Sequence, residues 1–170
     1  MLPETAAVVG ELNELWAEAR QMVQHVGPQG LTYKPGDGFN SISAIITHVT
    51  GSQKWWIGEM VAGRDMHRDR DAEFRTTEAD PAVLVNRINE AEALVNEVLK
   101  SVTADMADET RLYRGQPVTV RWIVMRVLAH TARHLGQIQI IRKIWGLQNA
   151  ERIGRAAVPS EGPYGVSSDK

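Results

Sequence analysis

The feature that most constrains this chain is a repeated spacing of apolar residues at three and four, interrupted by Gly and Pro at only a few places. Leu12, Leu15, Trp16, Ala19, Met22 and Val23 follow this spacing in the first stretch, which places them on one stripe of a helix. That helix is predicted from about Pro3 to Val26. Pro3 suits a first turn, where its missing amide costs nothing, and Gly27-Pro28 should stop the helix. A second helix should open at Asn40 or Ser41, either able to cap free amides. It carries Ile42, Ile45, Ile46, Val49, Trp56 and Met60 and ends near Gly63. Asp80-Pro81 starts a third, with Leu84, Ile88, Ala91, Val95, Val98 and Leu99 on its buried stripe. A fourth is predicted from about Val118 to Trp145, with Trp122, Met125, Leu128, Leu135, Ile138 and Ile141 facing inward and Gly146 ending it.

Between these stretches lie links. Gly30 to Gly38 is rich in turn residues, Arg64 to Ala79 is densely charged and reads as a solvated connection, and Thr103 to Pro117 is a polar link. No strand pattern is evident. The expected fold is therefore all-α, a four-helix bundle with long links after helices 1 and 3. Residues 1–149 should form the bundle and residues 150–170, rich in Gly, Pro and Ser, an extended or mobile tail.

Composition narrows the chemistry. With 170 residues and 43% hydrophobic content, the chain can bury one substantial core. Nineteen basic against 21 acidic residues give a net charge of -2, without the basic excess of a nucleic-acid binder. There is no cysteine, which excludes disulfides, thiolate metal sites and cysteine nucleophiles. Any metal site must use histidine nitrogen or oxygen. No apolar run approaches the roughly 20 residues that span a bilayer, and Met1-Leu2-Pro3-Glu4 does not open like a secretory signal. The expectation is a cytoplasmic protein, bound to neither membrane nor nucleic acid.

The chemistry-bearing residues are histidines. His130 and His134 lie four apart within the fourth helix, so both imidazoles share a face and can reach one metal ion. Five histidines would give such a spacing by accident in roughly one chain of this length in ten. On spacing alone, a metal site and a hydrogen-bonded core pair both remain open. His-Glu-x-x-His protease chemistry is excluded, because Thr131 and Ala132 follow His130. His48 sits in the second helix beside its apolar stripe. With the pair it would complete a three-nitrogen set that leaves positions open for substrate.

Asn40-Ser-Ile-Ser-Ala-Ile-Ile-Thr-His48, followed by Trp55-Trp56, resembles the second helix of the DinB-like family, which includes the YfiT-type thiol transferases. The run from Trp122 through His130-Thr-Ala-Arg-His134-Leu-Gly-Gln137-Ile is similar to that family's fourth helix, and Gly115-Gln-Pro-Val-Thr also fits. The resemblance covers roughly residues 5 to 148. It implies a homodimeric bundle holding a divalent metal, zinc or nickel, on His48, His130 and His134.

Secondary candidates surround these ligands. Glu59 could serve as a general base or as acceptor for a ligand N–H, or simply be a solvated helix residue. Gln137 could orient a ligand or make a plain interhelical bond, and Arg126 could hold a substrate carboxylate or pair within the protein. Ser52 and Trp55 fall near the His48 face by helical spacing. Trp55, Trp56 and Trp122 read as core and pocket wall, His25 as a helix-end residue and His67 as solvated.

Three functions fit. In the first, implied by the resemblance, a small cellular thiol loses its proton at the metal and attacks an electrophile, as an S-transferase or thiol-dependent isomerase. In the second, a metal-bound water is the nucleophile of a hydrolase. The third is a stress-related protein that binds metal or ligand without turnover. A carboxylate beside the open metal position would favour hydrolysis, and a roomy apolar pocket lined by tryptophans would favour thiol transfer.

Overall fold

The computed structural model describes residues 1–153. Helix α1 (Pro3–Thr32) enters through Pro3 and is broken at Gly27, whose φ of 73° is a left-handed conformation suited to glycine. Gly27 thus stops the regular helix as expected. Pro28, with its preset φ, immediately restarts one, and the chain stays helical to Thr32. Helix α2 (Ile42–Gln53) is capped by Ser41, whose Oγ accepts from the Ala44 amide at 3.1 Å. It passes into a π-helical turn, Lys54–Val61, before stopping at Gly63. Trp56 and Val61, both buried and five residues apart, share the core face that the wider π turn creates.

The charged connection differs from expectation. It contains a short helix, α3 (Arg70–Arg75), capped by Asp69, and buries Glu73. Phe74 packs its ring 4.5 Å from that of His48. Helix α4 (Pro81–Ser101) begins at the Asp80 cap and buries the six residues assigned to its stripe. The polar link after it is also ordered. It holds α5 (Ala104–Asp108) and an antiparallel hairpin, β1 (Thr110–Tyr113) with β2 (Gln116–Thr119), Thr110 opposite Thr119 and Tyr113 opposite Gln116. The turn residues Arg114 and Gly115 have φ of 51° and 76°, as a tight two-residue loop demands. Strands of four residues are too short to show a period-two signal, so the hairpin is invisible in the pattern.

Helix α6 (Val120–Ile153) is longer than expected. Gly146 does not end it. Tyr33 stacks at 5.1 Å on Trp145 and donates to Gln148 Oε1 at 2.5 Å, holding the last turns against α1. Its inward stripe is Val120, Ile123, Val124, Val127, Thr131, Leu135, Ile138 and Ile141. Trp122 and Met125, expected inside, are 41% and 53% exposed. The helix is apolar on two faces, and packing against α1 and α2 buried the one through Ile123 and Val127. The tail assigned to residues 150–170 lies largely outside the described residues.

Helices α1, α2, α4 and α6 form the bundle. Helix α1 packs on α4 and α6, and α2 lies between α4 and α6 with α3 across its outer side. The core runs from Leu12 and Trp16 through Ile42, Ile46 and Leu84 to Ile138, all at most 2% exposed. One polar chain crosses it. Trp16 Nε1 donates to Gln53 Oε1 (3.3 Å), and Gln53 Nε2 donates to the buried Thr131 hydroxyl (2.9 Å). No described helix is long and apolar enough to cross a membrane.

Candidate metal centre

His48 comes from the middle of α2, and His130 and His134 from successive turns of α6. Their packing brings the three Nε2 atoms together. His48 Nε2 lies 3.3 Å from His130 Nε2, which lies 3.2 Å from His134 Nε2, and one ligand atom from each residue falls within 4.8 Å of the others. Among the described residues this is the one such group of three metal-ligating side chains.

The other nitrogens explain the orientation. His48 Nδ1 faces Glu73 Oε2 at 2.9 Å, and His134 Nδ1 faces Gln137 Oε1 at 2.7 Å. Both partners are acceptors, so the proton belongs on each Nδ1 and the lone pair on each Nε2. Glu73 is held in turn by a two-pronged guanidinium. Arg68 Nε donates to Oε1 (2.6 Å) and Arg68 Nη2 to Oε2 (2.8 Å). Burial alone would raise the Glu73 carboxyl, but the hydrogen bonds from Arg68 and His48 outweigh it and leave the group below its ordinary value. Glu73 is therefore an ionised acceptor behind His48.

Burial, then the neighbouring His134, His48, Arg126 and Arg68, pushes the His130 imidazole down to about 3. His134 is also lowered, first by burial, with the Gln137 bond opposing and His48, Arg133 and Arg126 adding to it. Neutral imidazoles are what a metal requires, since a protonated nitrogen has no lone pair to give.

The donor set fits a divalent ion. Two nitrogens each about 2.0–2.1 Å from one ion at a tetrahedral angle stand roughly 3.3 Å apart, and the observed separations are 3.2 and 3.3 Å. In the absence of a cation, lone pairs facing one another at that range repel. The three-histidine group can thus accept a divalent metal while leaving a coordination position for another molecule.

The remaining candidates separate. Gln137 touches the site, as an orienting acceptor. Arg126 adds positive charge near His130 and His134. Glu59 is engaged elsewhere, accepting from Trp55 Nε1 at 3.0 Å. Ser52 is buried on α2. Trp55, Trp56, Tyr113 and Trp122 form a separate aromatic cluster, with Trp56 and Trp122 ring centres 5.9 Å apart. Each of these two tryptophans lies eight residues from its histidine, Trp56 after His48 and Trp122 before His130, so the cluster sits roughly 12 Å along the bundle at 1.5 Å per residue. His25 bonds its own helix at Gln21 O, and His67 is 85% exposed beside Asp65.

Sequence reasoning missed Glu73 and Arg68, because they fall in a run of charge. One signal was present. Phe74 is the single large apolar residue between His67 and Ala82, which marks a segment that docks rather than floats.

A family described as Mycothiol-S-transferase matches residues 7–145. A crystal structure of a conserved protein from Enterococcus faecalis is similar in fold, with a TM-score of 0.71 and 13% identity over 85% of this chain and 98% of that one. No curated protein matches. The family match runs from α1 into α6 and contains all three histidines together with Glu73 and Gln137, so the chain belongs to the mycothiol S-transferase family, a DinB-like family.

Proposed function

We propose that this protein is a metal-dependent S-transferase whose sulfur donor is a small thiol of the mycothiol kind. The observation that carries the reading is the convergence of three Nε2 donors, two of them with Nδ1 anchored, in a chain of that family. His48, His130 and His134 hold the ion, zinc or nickel. Glu73 and Gln137 fix the ring tautomers of His48 and His134, and burial keeps His130 and His134 uncharged at neutral pH. When bound, a divalent ion on three uncharged ligands retains its charge and acidifies a thiol in the open position. The sulfur would form its bond to an electrophilic carbon as that carbon's bond to its leaving group breaks, the leaving group taking the electron pair and the thiol proton passing to solvent. Arg126, whose charge bears on both α6 histidines, is the group placed to hold an anionic part of either substrate.

The same geometry favours this over hydrolysis. Glu73 is the carboxylate that bonds a histidine of the site, and it does so at Nδ1, behind the ring and already held by Arg68. Glu59 is engaged by Trp55. Neither is free to take a proton from an attacking water. That neither carboxylate is free as a base also suits a protein that binds metal and thiol without turnover, which is the second reading.

The quaternary structure in this proposal is a homodimer. Trp122, Met125, Ile140 and Leu147 are large apolar residues exposed on α6, and Ala129, Ala132 and Gly136 continue their row at spacings of three and four. A cytoplasmic location accords with a reaction that needs a reduced thiol.

Elemental analysis of the untagged protein beside His48→Ala tests the centre. About one zinc or nickel per chain, lost in the variant, is expected. Mycothiol with an alkylating electrophile should then be consumed by the metal-loaded protein and not by the metal-free one. No metal after reconstitution with both ions would end the enzymatic reading, and metal without thiol consumption would leave the binding protein.

A further inference from the structure

A cavity of about 400 Å³ opens between α2, α3 and α4. Glu73 lines it, but none of the three histidines does. Its wall carries four cations, Lys54, Arg68, Arg75 and Arg87, against two anions, Asp69 and Glu73. Two of the cations are committed, Arg68 to Glu73 and Lys54 to Glu90 at 2.7 Å. The other two are not. Arg75 is only loosely paired, 3.9 Å from Asp69. Arg87 has no ion pair among the described residues, and its Nε is buried with no hydrogen-bond partner. On the same wall Thr47 is 8% exposed, and its Oγ1 is likewise buried and unpartnered.

Arg87, without an ion pair among the described residues, thus stands on a wall where cations outnumber anions four to two, an arrangement that attracts an anion. We infer that this cavity binds a small oxyanion, a carboxylate or phosphate group of a small molecule, with Arg87 as its principal donor and Arg75 and Thr47 beside it. A planar guanidinium donates two parallel hydrogen bonds to either group. The inference is independent of the metal, because no residue of the cavity supplies one of the three Nε2 donors.

The test is nuclear magnetic resonance of the full chain, observing the Arg87 Nε–Hε signal and the Gly51 amide, which borders the cavity. Inorganic phosphate and succinate are titrated separately, with ionic strength held by chloride. A saturating shift with one or both is expected, and the anion that saturates lower identifies a phosphoryl or a carboxylate ligand. Since phosphate also coordinates metal ions, the titration is repeated on His130→Ala, and binding there should persist. Arg87→Met should weaken binding at least about tenfold, read at Gly51, as expected for losing one charge-assisted bond. Arg114→Ala on the hairpin turn should leave it within about twofold. Shifts no larger than chloride produces, loss of binding in His130→Ala, or equal weakening in the Arg87 and Arg114 variants would overturn the inference.

Discussion

Gly51 leaves room for Glu73. A Cβ at position 51 would lie 2.9 Å from the Glu73 carboxyl carbon and would overlap Oε1. Gly51 is one turn after His48 on α2, so the missing side chain lets the carboxylate of α3 lie against the helix and reach His48 Nδ1 at 2.9 Å. Gly51→Ala should therefore displace Glu73 and loosen His48. Metal affinity, measured by competition with a chelator, should fall about 10–100-fold, the usual effect of losing a carboxylate behind a ligating histidine. Glu73→Gln should fall in the same direction, with α-helical content unchanged in both. Unaltered affinity would mean that Glu73 holds α3 in place without tuning the ligand.

His134→Ala removes one of three nitrogens while leaving a partly exposed helix position filled by a good helix former. Stoichiometric metal should be lost and circular dichroism should stay nearly constant. Full metal content in the variant would defeat the three-histidine assignment.

Acid should destabilise the metal-free protein. The unfolded His130 takes up a proton near 6.5, whereas the folded one waits until about 3. Between those values the unfolded state binds the extra proton, so stability falls as pH drops through that window. His134, also lowered, acts in the same sense. Glu73, held below its ordinary 4.5, adds a further loss once the pH falls beneath that value. Urea midpoints at pH 7, 5.5 and 4.5 should decrease in order. A midpoint that rises on acidification would show that the histidines are not held neutral.

Thr131 is fully buried and accepts from Gln53, one residue from His130. Thr131→Val should leave the Gln53 amide unpaired and lower stability by about 1–3 kcal/mol in denaturant unfolding. Metal stoichiometry should not change. A neutral result would mean that Gln53 finds another acceptor.

Light scattering at micromolar concentration should give a dimer, and Met125→Glu with Ile140→Glu should give a monomer. A wild-type monomer would remove the dimer from the proposed function and leave the exposed row on α6 without an occupant.

Much of this was legible in the sequence. Helices declare themselves through local rules, since three-four spacing, the Ser41 and Asp80 caps and the Gly27 break act within a few residues. The four stripes therefore led to the bundle, and the His130–His134 spacing to a shared face. Where two local readings were equal, sequence had no means of choosing. On α6 the row through Trp122 and Met125 and the row through Ile123 and Val127 are both apolar, and only packing against α1 and α2 decided which was buried.

What the sequence by itself determined is the four long helices of the bundle and the histidines they carry. Tertiary structure alone decided that Nε2 of His48 meets that of His130, 82 residues away, and that a charged link folds over α2 to place Arg68 and Glu73 behind it. The physical reason is range. Helix formation depends on neighbours within one or two turns, whereas the Glu73 carboxylate is buried only where α2, more than twenty residues away, adds the His48 imidazole and the space beside Gly51 to the nearby Arg68 guanidinium, together offsetting its desolvation.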